Sequence, residues 1–183
     1  MRTILLLTIL YATCLVDAFA KPVVWIPDDL TITTQNTVDI PIYISDITND
    51  ISGYILRMNY ADQLTHPTVI TEGTLSEGHL VKSGPPTDAL GGKLAIGLMA
   101  GFQPQTDGLM LIIRFTISPD FKQSDITFLM IKSRLHTAVY QEIPAGFQDG
   151  FIQKMESVYL DMNNDRCLNL IDVIMVMKKL GED

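Results

Sequence analysis

An all-β fold, two sheets packed face to face and followed by a short loop and helix, is what the 183 residues predict. Three observations lead there. Between Lys21 and Lys154 no 3.6-residue apolar period is sustained, and the apolar residues come instead in short runs of Ile, Val, Thr, Tyr and Phe. Gly, Pro, Asn and Asp separate those runs, as turns require. The composition, 47% hydrophobic against 19% charged, is rich enough to bury a core.

The first 20 residues stand apart from that fold. Arg2 precedes an apolar stretch from Ile4 to Val16, and Ala18-Phe19-Ala20 suits an A-x-A cleavage site. The stretch is shorter than the ~20 residues a spanning helix needs. Residues 1–20 are therefore expected to be a cleaved secretory signal, with the mature chain starting near Lys21 and no membrane insertion afterwards. An uncleaved anchor and a lipoprotein acylated at Cys14 are the weaker alternatives. Cleavage leaves Cys167 alone, so no intrachain disulfide would form and the core, a metal or a partner must hold the domain. The expected location is secreted, extracellular or at the cell surface. A formal net charge of −8, with no basic run longer than Lys178-Lys179, argues against nucleic acid and anionic membranes as partners.

The body is expected to span 21–154. Thr37 to Ile44 is the first clear strand, and Pro41 within it needs an edge or a bulge because it has no N–H for the ladder. Gly53 to Tyr60 alternates, placing Tyr54, Leu56, Met58 and Tyr60 on one face and Ile55, Arg57 and Asn59 on the other. Further strands are predicted at 68–71, 79–82, 94–99, 109–117, 126–131 and 147–153, with 84–92 a surface loop. Eight or nine strands in that length indicate a two-sheet sandwich.

The order of pieces is similar to a cohesin domain. The resemblance runs through Val38–Ile44, Ile51–Tyr60 continuing into Leu64, Lys93–Ala100, Asp107–Phe115 and the closing Asp149–Ile152. It implies a nine-stranded jelly-roll β-sandwich, a fold close to that of some carbohydrate-binding modules. It also implies a non-catalytic module that binds a dockerin across one sheet face, in extracellular assemblies often tied to polysaccharide breakdown. Mapped here, that face would present Ile55, Arg57 and Asn59 from one strand and Ala95, Gly97 and Met99 from another. A polar residue is usual where Ile55 stands.

Residues 155–183 change character. Asp161, Asn163, Asp165, Asn169 and Asp172 put side-chain oxygens at positions 1, 3, 5, 9 and 12 of a twelve-residue loop, and the Cys167 carbonyl falls at position 7. That is EF-hand spacing, and Ca2+ wants six to eight oxygens that such a loop can wrap around it. Arg166 at position 6, where glycine is typical, and Asp172 in place of Glu depart from the pattern. Residues 161–181 resemble one dockerin repeat, in which Asn at 9 and Asp at 12 are ordinary. Leu170 and Ile171 replace that family's Ser/Thr recognition pair.

The helix predicted from Leu170 to Leu180 is apolar on most sides, through Leu170, Ile171, Val173, Ile174, Met175, Val176, Met177 and Leu180. Such a helix must be covered, and alone it is marginal in water. Dockerins pair two repeats; here one is present. It must pack on the sandwich, on a second copy, or on another protein, so the expected partners are a dockerin- or cohesin-type module or a second copy of the chain.

No enzyme is indicated. His66, His79 and His136 have no metal-ligand spacing and read as surface or strand-end residues, and neither a nucleophile elbow nor a phosphate loop is present. A carbohydrate-binding module on the same sandwich is the alternative, with polysaccharide held by Tyr140, Phe102 or Trp25. A relic whose tail no longer binds calcium is the third reading.

Overall fold

The computed structural model describes residues 21–32, 36–47, 50–88, 91–154 and Ile174. Six strands fill the first half: β1 (Val23–Trp25), β2 (Leu30–Ile32), β3 (Thr37–Ser45), β4 (Gly53–Asn59), β5 (Leu64–Ile70) and β6 (Lys82–Gly84). The rest are β7 (Leu94–Leu98), β8 (Gly108–Ile117), β9 (Gln123–Phe128), β10 (Arg134–His136), β11 (Glu142–Ile143), β12 (Gly146–Gln148) and β13 (Gly150–Lys154). A five-stranded sheet runs β12-β1-β3-β8-β5. The eight-stranded sheet follows β11-β10-β4-β9-β13-β2, with β7 also pairing β4 and β6 pairing β7.

Alternation builds the core between them. Ile40, Ile42 and Ile44 of β3 and Leu111, Ile113 and Phe115 of β8 face Leu56 and Met58 of β4 and Leu94, Ile96 and Leu98 of β7, all essentially out of water. Each such side chain contributes about 1.5–3 kcal/mol by its burial. Tyr54 enters the same layer with its hydroxyl 2.9 Å from Ser76 Oγ, and burial pushes its phenol up to about 12. The hydrogen bond to a fully buried serine lets a polar tip sit in an apolar layer.

Both ends of the body cross from one sheet to the other. The N-terminal run lies in the smaller sheet as β1 and in the larger as β2, and the C-terminal run does the same as β12 and β13. The two runs pair in parallel, Val23 opposite Gly146 and Leu30 opposite Ile152. Backbone bonds bridge the crossing, from Gly146 N to Pro22 O at 2.8 Å and from Phe151 N to Pro27 O at 3.2 Å.

Several strands differ from the expected ones. The stretch 79–81 is no strand: His79 N closes a turn on Ser76 O, and the strand begins at Lys82. β5 starts at Leu64, ahead of the expected 68, because its register shift at Thr65/Thr68 accommodates His66 at φ +50 and Pro67. The expected 126–131 strand stops at Phe128; Leu129 to Lys132 is a turn. The 147–153 run is broken at Asp149, whose Oδ1 accepts from Phe128 N at 2.7 Å where the chain changes sheet. Among the described residues thirteen short segments stand where eight or nine strands were expected. Pro41 pairs with Ile112 next to the β3 bulge, past the point where β1 stops opposite Tyr43. Pro41 thus sits beside a bulge and beyond the end of β1, where a residue without an N–H is tolerated.

Candidate partner-binding face

β4 crosses the larger sheet between β7 on one flank and β9 and β10 on the other. Because Tyr54, Leu56 and Met58 point inward, Ile55, Arg57 and Asn59 lie on the outer side. Antiparallel register sets Gly97 opposite Ile55 and Ala95 opposite Arg57. Met99 follows β7 by one residue and is exposed. One cross-strand row reads Lys82, Gly97, Ile55, Arg134, with an exposed cation at each end.

Arg57 is a correction to the expected presenting surface. It is only 9% exposed, closed over by the chain itself. Its guanidinium forks onto Asp88, with Nη1 donating at 2.7 Å to Oδ1 and Nη2 on Oδ2, and Nη1 also donates to the Gly91 carbonyl at 3.3 Å. The Asp88 carboxylate holds the guanidinium still more firmly protonated. From the opposite flank, Leu129 N donates to Arg57 O at 2.8 Å, and Ser133 Oγ accepts from Arg57 N at 3.0 Å. Gly92, at φ +100, lies under the Leu129 side chain; a β-carbon there would sit 3.0 Å from Leu129 Cδ1. A ridge made from Asp88, Gly91 and Gly92 on one flank and 129–133 on the other therefore crosses the face at Arg57. We expect Asp88→Ala to cost about 1–3 kcal/mol, since it strands a covered charge. A lower urea midpoint at unchanged m-value would register it.

What stays open lies on the Gly53 side of the ridge. Gly97 leaves a gap there, with only the Tyr54 carbonyl, at 3.8 Å, near its absent β-carbon. His136, the last residue of β10 and so the strand-end histidine of the two expected alternatives, lies across Gly53, its Nε2 2.6 Å from where a β-carbon would be, and is buried at 4% exposure. Its Nδ1 lies 3.1 Å from the Thr137 carbonyl, and Nε2 has no partner among the described residues. The Tyr140 ring covers it, centroids 5.4 Å apart. Met99 after β7 and Val139 and Tyr140 after β10 are 55–72% exposed, and Met130 and Ile131 stand exposed on the ridge itself. Met130 and Ile131 went unnoticed as surface groups because an apolar run after Phe128 reads as more strand.

The aromatic candidates for a sugar platform are scattered. Phe102 is fully buried, edge-on to Tyr54 at 5.2 Å, which corrects its expected exposure. Trp25 stands opposite Tyr43 on the smaller sheet, and the two rings stack at 4.6 Å and 19°, each covering a face of the other. Tyr140 is exposed at the other sheet. The calcium ligands predicted at Asp161, Asn163, Asp165, Cys167, Asn169 and Asp172 lie outside the described residues, as do the expected signal and most of the predicted helix. Ile174 alone is described: its backbone is helical and its side chain 56% exposed. Among the described residues no three His, Cys, Asp or Glu side chains are placed to hold a metal.

No protein-family model matches the sequence, and no curated protein matches it. Solved structures do share the architecture. The non-cellulosomal cohesin of the archaeon Archaeoglobus fulgidus aligns at TM-score 0.58 and 13% identity, over 80% of this chain and 100% of its own. A chain from a type I cohesin–dockerin complex of Clostridium thermocellum gives 0.56 and 12%, over 74% and 100%. The cohesin module of a family 33 glycoside hydrolase from Clostridium perfringens gives 0.55 and 10%, over 73% and 96%. The sandwich has the cohesin jelly-roll fold.

Proposed function

We propose that the protein is a secreted, non-catalytic interaction module whose larger sheet binds a dockerin-type protein partner, and whose tail folds on Ca2+. The observation that carries this reading is the outer side of β4 and β7: an open position at Gly97 opposite Ile55, with exposed Met99 following β7 and exposed Val139 and Tyr140 following β10. Apolar groups left in water around a gap without side chains are what a docking surface needs. The fold adds support, since several of the similar structures are cohesins in complex with dockerins. Secretion rests on the N-terminal signal pattern, and calcium on the 161–172 spacing.

The test is calorimetry of the 21–183 chain against a panel of dockerin modules in calcium, beside the Gly97→Arg variant. A side chain at 97 has room, so the variant should fold while losing binding by more than about tenfold. Equal binding by both proteins would remove the face from the reading. Failure with every dockerin, together with retention on polysaccharide, would favour the carbohydrate-binding alternative.

A further inference from the structure

We infer that the segment this face receives is an apolar helix of about three turns with a carboxylate at each end, laid across β6, β7, β4 and β10. The inference rests on the interaction-module reading and names the chemistry of its partner. The floor is the row Lys82, Gly97, Ile55, Arg134, whose members are direct cross-strand neighbours and so share the outer side. Its middle is apolar and low, with Ile55 half-buried and no side chain at Gly97. The ridge at Arg57 forms one wall, and Met99, with the Tyr140 ring over His136, forms the other. Each wall lies two strand residues, ~7 Å, from the floor row, so the gap is ~13 Å and admits a helix about 10–12 Å wide. Three strand spacings of ~5 Å make the row ~15 Å long, the length of about ten helical residues.

Charge decides what stands at the two ends of that helix. The chain carries 13 Lys and Arg against 21 Asp and Glu, yet the row ends in a cation on both sides. Lys82 is exposed and has no ion-pair partner among the described residues. Arg134 is exposed too, and its Nη1 lies 3.9 Å from Glu142 Oε2, the outer limit of an ion pair, which leaves the fork open to a second acceptor. Asp88, the other carboxylate at this face, is committed to Arg57. Lys132 on the ridge adds a third cation, its Nζ 3.9 Å from where a Gly91 β-carbon would be. A partner with basic ends would set like charges against Lys82 and Arg134, which complementary interfaces avoid. A carboxylate at each end instead meets an exposed cation, while the apolar middle covers Ile55 and Met99. A polyanion without that middle would leave both uncovered.

Two side-chain-bridged helical peptides of about ten residues test this against the 21–183 chain by nuclear magnetic resonance titration. They share a middle of Ala and Leu and differ in carrying Glu or Lys at both ends. The Glu-ended peptide should shift the amides of Ile55 and Gly97 and bind more than about tenfold tighter than the Lys-ended one. That preference should shrink as salt rises from about 0.05 to about 0.5 M, because both cations are exposed. Lys82→Glu with Arg134→Glu should invert it. Lys82→Gln with Arg134→Gln, which sets no new charge beside Glu142, should abolish it and melt like the parent. Equal binding of the two peptides, a preference for Lys ends, binding of neither at ~1 mM, or a preference that both double variants keep overturns the inference. The two readings separate cleanly. A dockerin that binds parent and double variants alike, but is lost with Gly97→Arg, overturns this inference and leaves the proposed function standing. Discrimination between the peptides with no dockerin bound removes the dockerin reading and leaves this one.

Discussion

A Gly150→Ala chain is expected to lose more than about 4 kcal/mol of stability and to be largely unfolded at 37 °C. Gly150 opens β13 directly after the chain leaves the smaller sheet, and it packs where the N-terminal run makes the same crossing. A methyl group there would overlap the Ile26 side chain and stand 2.7 Å from the Pro27 carbonyl oxygen. Ile26 is fully buried, and the opposing oxygen belongs to the backbone that accepts from Phe151 N, so neither neighbour can step aside cheaply. Overpacking of a core ordinarily costs about 1–3 kcal/mol. Here it also parts the two runs that hold the ends of the body together, which places it in the exceptional range above about 4 kcal/mol when both effects add. Thermal unfolding followed by near-ultraviolet circular dichroism measures it, with Gly97→Ala as the control, since that position has room. A midpoint for Gly150→Ala within a few degrees of the parent would mean the crossing is looser than these distances say.

The second large effect concerns the proposed calcium loop. Replacing Asp161 and Asp165 by Ala removes the oxygens at positions 1 and 5, two of the formal charges that would neutralise the ion. Titration calorimetry of the full 21–183 chain should then show calcium affinity lowered by at least about 100-fold, some 2.7 kcal/mol. The sandwich should melt as before, because no metal cluster is found among its described residues. Parent protein that takes up no calcium would instead support the relic reading, with Arg166 at the glycine position as the physical reason.

Much of the fold was legible because it is written in a period of two. Ile40, Ile42 and Ile44, like Leu94, Ile96 and Leu98, declare both strand and buried face without reference to any distant residue. The same rule placed Ile55 and Asn59 on the outer side of β4. It failed for Arg57, because whether an outward arginine meets solvent depends on Asp88, 31 positions later in a Gly/Pro loop with no period at all. It failed again at Leu129-Met130-Ile131, where three apolar residues mimic strand while the hydrogen bonds of Lys132 N and Ser133 N to Leu129 O turn the chain outward. β1 and β2 were missed for a different reason. Three-residue strands are too short for alternation to register, and they hold because β12 and β13 lie beside them, more than a hundred residues away.

That pairing has a mechanical consequence. Since the N-terminal and C-terminal runs lie parallel, Lys21 sits at one end of the body beside the start of β12, and Lys154 sits at the other beside the end of β2. Tension applied through these two points would slide the runs along one another. The ladder bonds would share that load in shear, none being peeled open ahead of the rest. A body so wired is expected to resist pulling between its two ends better than one whose terminal strands peel apart bond by bond.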